Sequence, residues 1–125
     1  MFAFTFDTNA IIYYLKGDKK ASSVVEEIIK NNSSIYISTI TEVELFSFSE
    51  ITEMEAHQIE KILETISIIP VDSRIARMAA RIRQLYKLKT ADSVIAATAL
   101  FTSSVLVTRN VKDFSRVTAL MVKSI

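Results

Sequence analysis

Four acids in this chain stand where its character changes. Asp7 closes the apolar opening FAFTF, Glu44 follows the run SIYIS, Asp92 begins the small-residue stretch ADSVIAATALF, and Asp113 follows SVLVT just after Asn110. If all four project into one poorly solvated cleft, their mutual repulsion is worth several kcal/mol unless protons or a divalent cation offset it. Oxygen donors without nitrogen or sulfur favour Mg²⁺ or Mn²⁺ over zinc. An ion held by carboxylates suits phosphodiester hydrolysis, because it acidifies the attacking water and stabilises charge on the departing oxygen.

The rest of the composition narrows the chemistry by exclusion. The 125 residues contain no Cys, so thiol nucleophiles, thiolate metal sites and disulfides are absent. The single His, His57, excludes a histidine pair and any multi-histidine metal site. Gly17 is the only glycine, which excludes the glycine-rich loops that let backbone approach phosphate.

Each acid also has a structural reading. Asp7 can be a helix N-cap worth about 1 kcal/mol. Thr41 and Glu44 match a capping box, Asp92 is an acid in a first helical turn after a Thr90 cap, and Asn110 with Asp113 repeats the capping spacing. Asp72 follows a strand and precedes a helix just as Asp7 does, and nothing in the local spacing separates the two.

The elements that would position these acids alternate along the chain. FAFTF, SIYIS, SIIPV, SVLVT and ALMVKSI read as strands, without clean polar alternation. Between them AIIYYL, SSVVEEIIKNN, TEVELFSFSE, EMEAHQIEKILETI, DSRIARMAARIRQLYKL, ADSVIAATALF and NVKDFS read as helices, with Ile75, Met78, Ala79, Ile82 and Leu85 forming one apolar face. The expected fold is a single α/β domain over residues 1–125, a three-layer sandwich with a central, mainly parallel sheet flanked by helices. In such sheets ligands bind outside the carboxyl ends of the strands. With one Gly and one Pro, turns must be made by Asn, Asp, Ser and Lys.

Lys and Arg number 15 against 14 Asp and Glu, which argues against a strongly basic coat, but the charges are segregated. Residues 42–64 carry seven Glu against Lys61, whereas residues 71–90 carry Arg74, Arg77, Arg81, Arg83, Lys87 and Lys89 against Asp72. The basic stripe is a solvated helix face or a phosphate-contacting surface. Arg109 and Lys112, beside Asp113, are expected to hold a phosphate or orient Asn110. The acidic run is expected to face outward with His57 exposed on it, and Phe46, Phe48, Tyr13 and Tyr14 to lie in the core or an interface. No apolar run approaches the roughly 18 residues of a membrane span, and the opening lacks a basic signal-peptide region. A cytoplasmic location is the expectation.

Taken together, FDTNAIIYYLKGD, ISTITEVEL, SIIPVDSRIARMAARIR, TADSVIAATALF and SVLVTRNVKDFSRV resemble, in that order, the PIN-domain nucleases, in particular the VapC-type toxins of prokaryotic toxin-antitoxin pairs. The resemblance runs over essentially the whole chain. It implies that Asp7, Glu44, Asp92 and Asp113 are the catalytic, metal-holding acids, with Glu42 two places early for the second position. Some relatives carry an acid where Asn110 stands. Thr8, Asn9, Thr108 and Asn110 resemble the polar residues that surround the acids, and Ser93 replaces a common Ala. The resemblance further implies a Mg²⁺- or Mn²⁺-dependent endoribonuclease acting on RNA, dimeric, and silenced by a cognate antitoxin whose tail covers the cleft. The alternatives are another metal-dependent phosphoesterase with a small substrate, or a non-catalytic binding module on the same fold.

Overall fold

The computed structural model describes residues 2–125, and among these the chain forms five strands and seven helices. In order they are β1 (Ala3–Phe6), α1 (Thr8–Leu15), α2 (Lys19–Lys30), β2 (Ser34–Ser38), α3 (Thr39–Ser47) and α4 (Glu53–Leu63). There follow β3 (Ser67–Ile69), α5 (Ser73–Tyr86), α6 (Thr90–Phe101), β4 (Val105–Thr108), α7 (Val111–Phe114) and β5 (Val122–Ser124). The strands pair in the order β3-β2-β1-β4-β5 and every pair is parallel, so the sheet is wholly rather than mainly parallel.

Period-two alternation along β1 and β4 divides the core between the two faces. Phe6 and Val107, register partners, bury against α1, α2 and α4 together with Ile11, Val25, Ile28 and Ile59. Leu106 faces the other way and packs with Ile75, Ile82, Ile95 and Phe114 of α5, α6 and α7. Helix α6 is buried continuously from Ser93 to Ala99 because Ser93, Ala96, Ala97 and Ala99 are small enough to let it lie close to the sheet. Ser93, Thr98 and Thr102 return their hydroxyls to carbonyls one turn back, so no donor is stranded there. Helix α3 touches both α1 and α6 and thus bridges the two helical layers at the strand ends.

Scarce glycine is handled as the composition requires. Gly17 (φ 78°) ends α1 in a Schellman turn, its N–H donating to Tyr14 O and that of Asp18 to Tyr13 O. Asn32, Lys87 and Ser103 take the same left-handed conformation after α2, α5 and α6. The turn at Lys87 also corrects the expected α5 face. Leu85 is 60% exposed, and Leu88, brought back by the reversal and by Arg83 donating to its carbonyl, fills the core instead.

The caps differ from expectation at several ends. Helix α3 starts at Ser38, whose hydroxyl accepts from Ile40 N–H, so Thr41 and Glu44 form no capping box. The capping box lies instead at Thr52 and Glu55. Helix α2 begins earlier than the sequence suggested, capped by Asp18. Helix α6 begins after Lys89 without a side-chain cap, leaving Thr90 inside it, and Asn110 makes no side-chain cap on α7. Strand β3 stops at Ile69, before Pro70, which has no N–H for the ladder.

Candidate active site

The chain runs outward from β1 through β2 to β3, then returns to the other side of β1 for β4 and β5. The β1–β4 junction is therefore the topological switch point, where splayed connections leave a crevice outside the strand ends. Asp7 stands at the end of β1 and Thr108 ends β4, directly across that junction.

Asp7 is both cap and site residue. Its backbone is extended and Oδ1 accepts the Ala10 N–H at 2.8 Å, while Oδ2 accepts the Thr108 hydroxyl at 2.5 Å. Only 6% of it is exposed. Burial raises its pKa above the ordinary 3.8; the bonds from Thr108 and Ala10 oppose the rise, and the nearby Asp92 and Glu44 reinforce it. Glu44, half-buried on α3, accepts the Thr8 hydroxyl at 2.5 Å. Asp92, half-buried in the first turn of α6, also has a raised pKa, through burial first and then Glu44, with Lys89 opposing.

These three acids line one cleft of about 340 Å³ together with Thr8, Asn9, Ile12, Ser47, Phe48 and Ile95. No Lys or Arg is in that lining. Three carboxylates facing each other across a partly dry cleft, two of them already displaced toward protonation, are a donor set suited to a hard divalent cation. Among the described residues no three acidic or histidine side chains already stand close enough to close on a single ion, so the acids are gathered but open.

The remaining candidates separate. Asp113 is outside the cleft lining, on α7, where Oδ2 accepts from Asn110 Nδ2 at 3.1 Å; its charge reaches Asp92 and raises that residue's pKa. Asn110 also donates its backbone N–H to the Thr108 hydroxyl at 2.9 Å, so Thr108 links it to Asp7. Asn9 lines the cleft and is exposed, and Lys112, next to Asp113 in the chain, is exposed and outside the lining.

Arg109 is a correction. It points away from Asp113: Nη2 bonds Asp18 at 2.7 Å, Nε donates to Ile125 O at 2.9 Å, and the guanidinium lies 4.0 Å over the Tyr13 ring. With its charge paired to Asp18 and one face stacked on Tyr13, it fastens the β4–α7 turn to the end of α1 and makes no hydrogen bond to Asn110 or Asp113 among the described residues. Arg74 leaves the basic stripe for a similar reason, being bound to Asp72 at 2.9 Å and stacked on Phe101.

Sequence reading missed Ile12, Ser47, Phe48 and Ile95 as cleft residues. The signal was helical spacing: Ile12 is four residues after Thr8, Ser47 and Phe48 follow Glu44 by three and four, and Ile95 follows Asp92 by three.

An acid-lined crevice at the switch point of an all-parallel, three-layer sandwich defines an α/β domain whose candidate site lies outside the carboxyl ends of its central strands. The PIN domain family model matches residues 4–120, and the chain belongs to that family. It is 28% identical over 113 residues to Ribonuclease VapC19 of Mycobacterium tuberculosis, covering 86% of this chain and 89% of the relative. A toxin-antitoxin complex from Klebsiella pneumoniae contains a chain that superposes with a TM-score of 0.82 at 31% identity, covering 95% of this chain and 96% of that one. DNA-bound VapBC from Salmonella typhimurium gives a TM-score of 0.84 at 25% identity over 99% and 98% of the two chains. Among the described residues no helix is long and apolar enough to cross a membrane.

Proposed function

We propose that the protein is an endoribonuclease dependent on Mg²⁺ or Mn²⁺ and the toxin of a type II toxin-antitoxin pair. The observation that carries the reading is the convergence of Asp7, Glu44 and Asp92 on one cleft that no basic side chain lines. Capping alone requires no such convergence. The name of the M. tuberculosis relative supports RNA as substrate, and the toxin-antitoxin complexes support an antitoxin partner. A homodimer acting in the cytoplasm fits the same reading.

Asp7, Glu44 and Asp92 would hold the ion, with Asp113 joining from the rim. Bound there, a divalent cation supplies the positive charge that acidifies the attacking water and stabilises the phosphate and departing oxygen. Asp7 and Glu44 have their orientation set by the Thr108 and Thr8 hydroxyls, so their remaining lone pairs have a fixed direction. Among the described residues Asp92 has no such restraint, and it would accept the proton of the attacking water. In-line attack would then displace the 3′ oxygen and leave a 5′ phosphate. Lys89, whose charge reaches Asp92, and the exposed Lys112 are the cations available to flanking phosphates, whereas Arg116 is paired with Asp113.

Asp7→Asn and Asp92→Asn should each lower RNA cleavage at least about 100-fold with an unchanged circular dichroism spectrum, as expected when a group supplying several kcal/mol of barrier reduction is lost. EDTA should abolish wild-type cleavage, with Mg²⁺ or Mn²⁺ restoring it. Full activity in both variants, undiminished activity in excess EDTA, or a preference for phosphomonoesters over RNA would overturn the reading.

A further inference from the structure

The lining of the same cleft carries two chemistries, set about one turn apart along the same helices. Asp7, Glu44 and Asp92 supply the first, and Ile12, Phe48 and Ile95 supply apolar surface as the second. A cation site needs only the first. Phe48 sits just past the end of α3 with an extended backbone (φ −71°, ψ 111°), tied back by its N–H to Leu45 O. It packs against the core on one side, among the residues around Leu45 and Ile59, and remains half-open to the cleft on the other. Core packing on one side fixes the ring, so presenting the other side to a ligand has little entropic cost.

We propose that Phe48 is a base-stacking residue: a nucleobase next to the scissile phosphate leaves its neighbours and lies on the Phe48 ring, with the buried Ile12 and Ile95 forming the floor of the cleft beside it. This rests on the nuclease reading above and adds the part of the substrate that the acids cannot recognise. The volume of about 340 Å³ lies at the low end of ligand sites, roughly 300–1,000 Å³, which suits one nucleotide unit and not a duplex. A cation at the acids would draw the phosphate, and the attached base would then meet Phe48, one turn beyond Glu44 at the end of the same helix. Stacking tolerates every base because each has a π-face, so Phe48 selects for an unpaired nucleotide rather than a particular letter.

The test uses a short single-stranded RNA carrying 2-aminopurine, titrated with protein in Ca²⁺ in place of Mg²⁺, alongside steady-state cleavage in Mg²⁺. Wild type and Phe48→Tyr should raise the fluorescence as the base leaves its quenching neighbours. Phe48→Leu should lose that rise and raise KM about tenfold, with kcat within about twofold, in line with the usual strength of base–aromatic stacking. Phe48→Met, whose flexible side chain fills core gaps, gives the same readout should the Leu variant melt below the assay temperature. An unchanged KM and fluorescence rise in a folded Leu or Met variant, with wild type cleaving normally, overturns the stacking role and leaves the nuclease reading standing. Loss of antitoxin binding alone, with RNA kinetics unchanged, also overturns it by assigning the ring to a protein contact. A wild type that neither binds nor cleaves RNA removes the nuclease reading, and this subsite with it.

Discussion

The Thr108 hydroxyl donates to Asp7 Oδ2 at 2.5 Å and accepts the Asn110 N–H at 2.9 Å. Because the Asn110 N–H occupies the oxygen, the hydroxyl proton is directed at Asp7. Asn110 in turn donates its side-chain amide to Asp113. Two residues 101 positions apart in the chain thereby join the ends of β1 and β4, and the buried acid is connected to the acid on the rim.

Thr108→Val should remove that donor while keeping the shape. The bond holds the Asp7 pKa down against burial, so its loss raises that pKa further and moves the acid limb of the pH–rate profile to higher pH. At neutral pH, RNA cleavage should fall about tenfold, the equivalent of about 1.4 kcal/mol. Thr108→Ser should restore the profile, and an unmoved acid limb in the Val variant would contradict the role.

Asp92→Asn should stabilise the metal-free protein at neutral pH. Burial and Glu44 hold the Asp92 pKa above its ordinary 3.8, so the folded chain binds this proton more tightly than the unfolded chain does. Stability is therefore lost as pH rises from the unfolded value through the raised folded value, and the Asn variant escapes that loss. Thermal unfolding in EDTA should show the variant's advantage at pH 7 closing as pH falls toward 3.8. Added Mg²⁺ should reverse the order by stabilising the wild type more.

Arg109→Met should lower Tm modestly at low ionic strength, and the difference should shrink near about 1 M salt, where exposed ion pairs are screened. The partners lost are Asp18, Tyr13 and the Ile125 carbonyl. Steady-state kinetics give the complementary check: a large rise in KM for RNA with Tm unchanged would return Arg109 to phosphate binding.

Thr41 is fully buried and its hydroxyl has no partner among the described residues. An unmade hydrogen bond of this kind costs about 1–3 kcal/mol. Thr41→Val, nearly isosteric, should leave urea stability unchanged or raise it by about 1 kcal/mol. A loss of similar size would show that the hydroxyl is satisfied in solution.

Asp7 and Asp72 show where local reading stops. Both cap a helix that follows a strand, both have extended backbones, and both accept the N–H three residues on. Yet Asp72 follows the edge strand β3 and is neutralised by Arg74, whereas Asp7 follows the central strand and faces Glu44 and Asp92. Spacing along the chain could not separate them, because the difference lies in strand order. Arg109 was misplaced for the same reason: its sequence neighbour is Asp113, but its spatial neighbours come from the ends of α1 and α2.

What the sequence determined by itself is whatever depends on composition and short-range periodicity. Alternating apolar runs and amphipathic segments specify a parallel sheet between helical layers, the absence of Cys and the single His leave oxygen as the main ligand chemistry, and the motif blocks reveal the family. What only the tertiary structure decided is which groups meet. Strand order places β1 between β2 and β4, and the bridging helix α3 brings Glu44 and, one turn further on, Phe48 into one cleft. Capping energies arise within one turn of chain, whereas repulsion between acids and the stacking surface beside them arise between residues tens of positions apart, and folding alone brings these together.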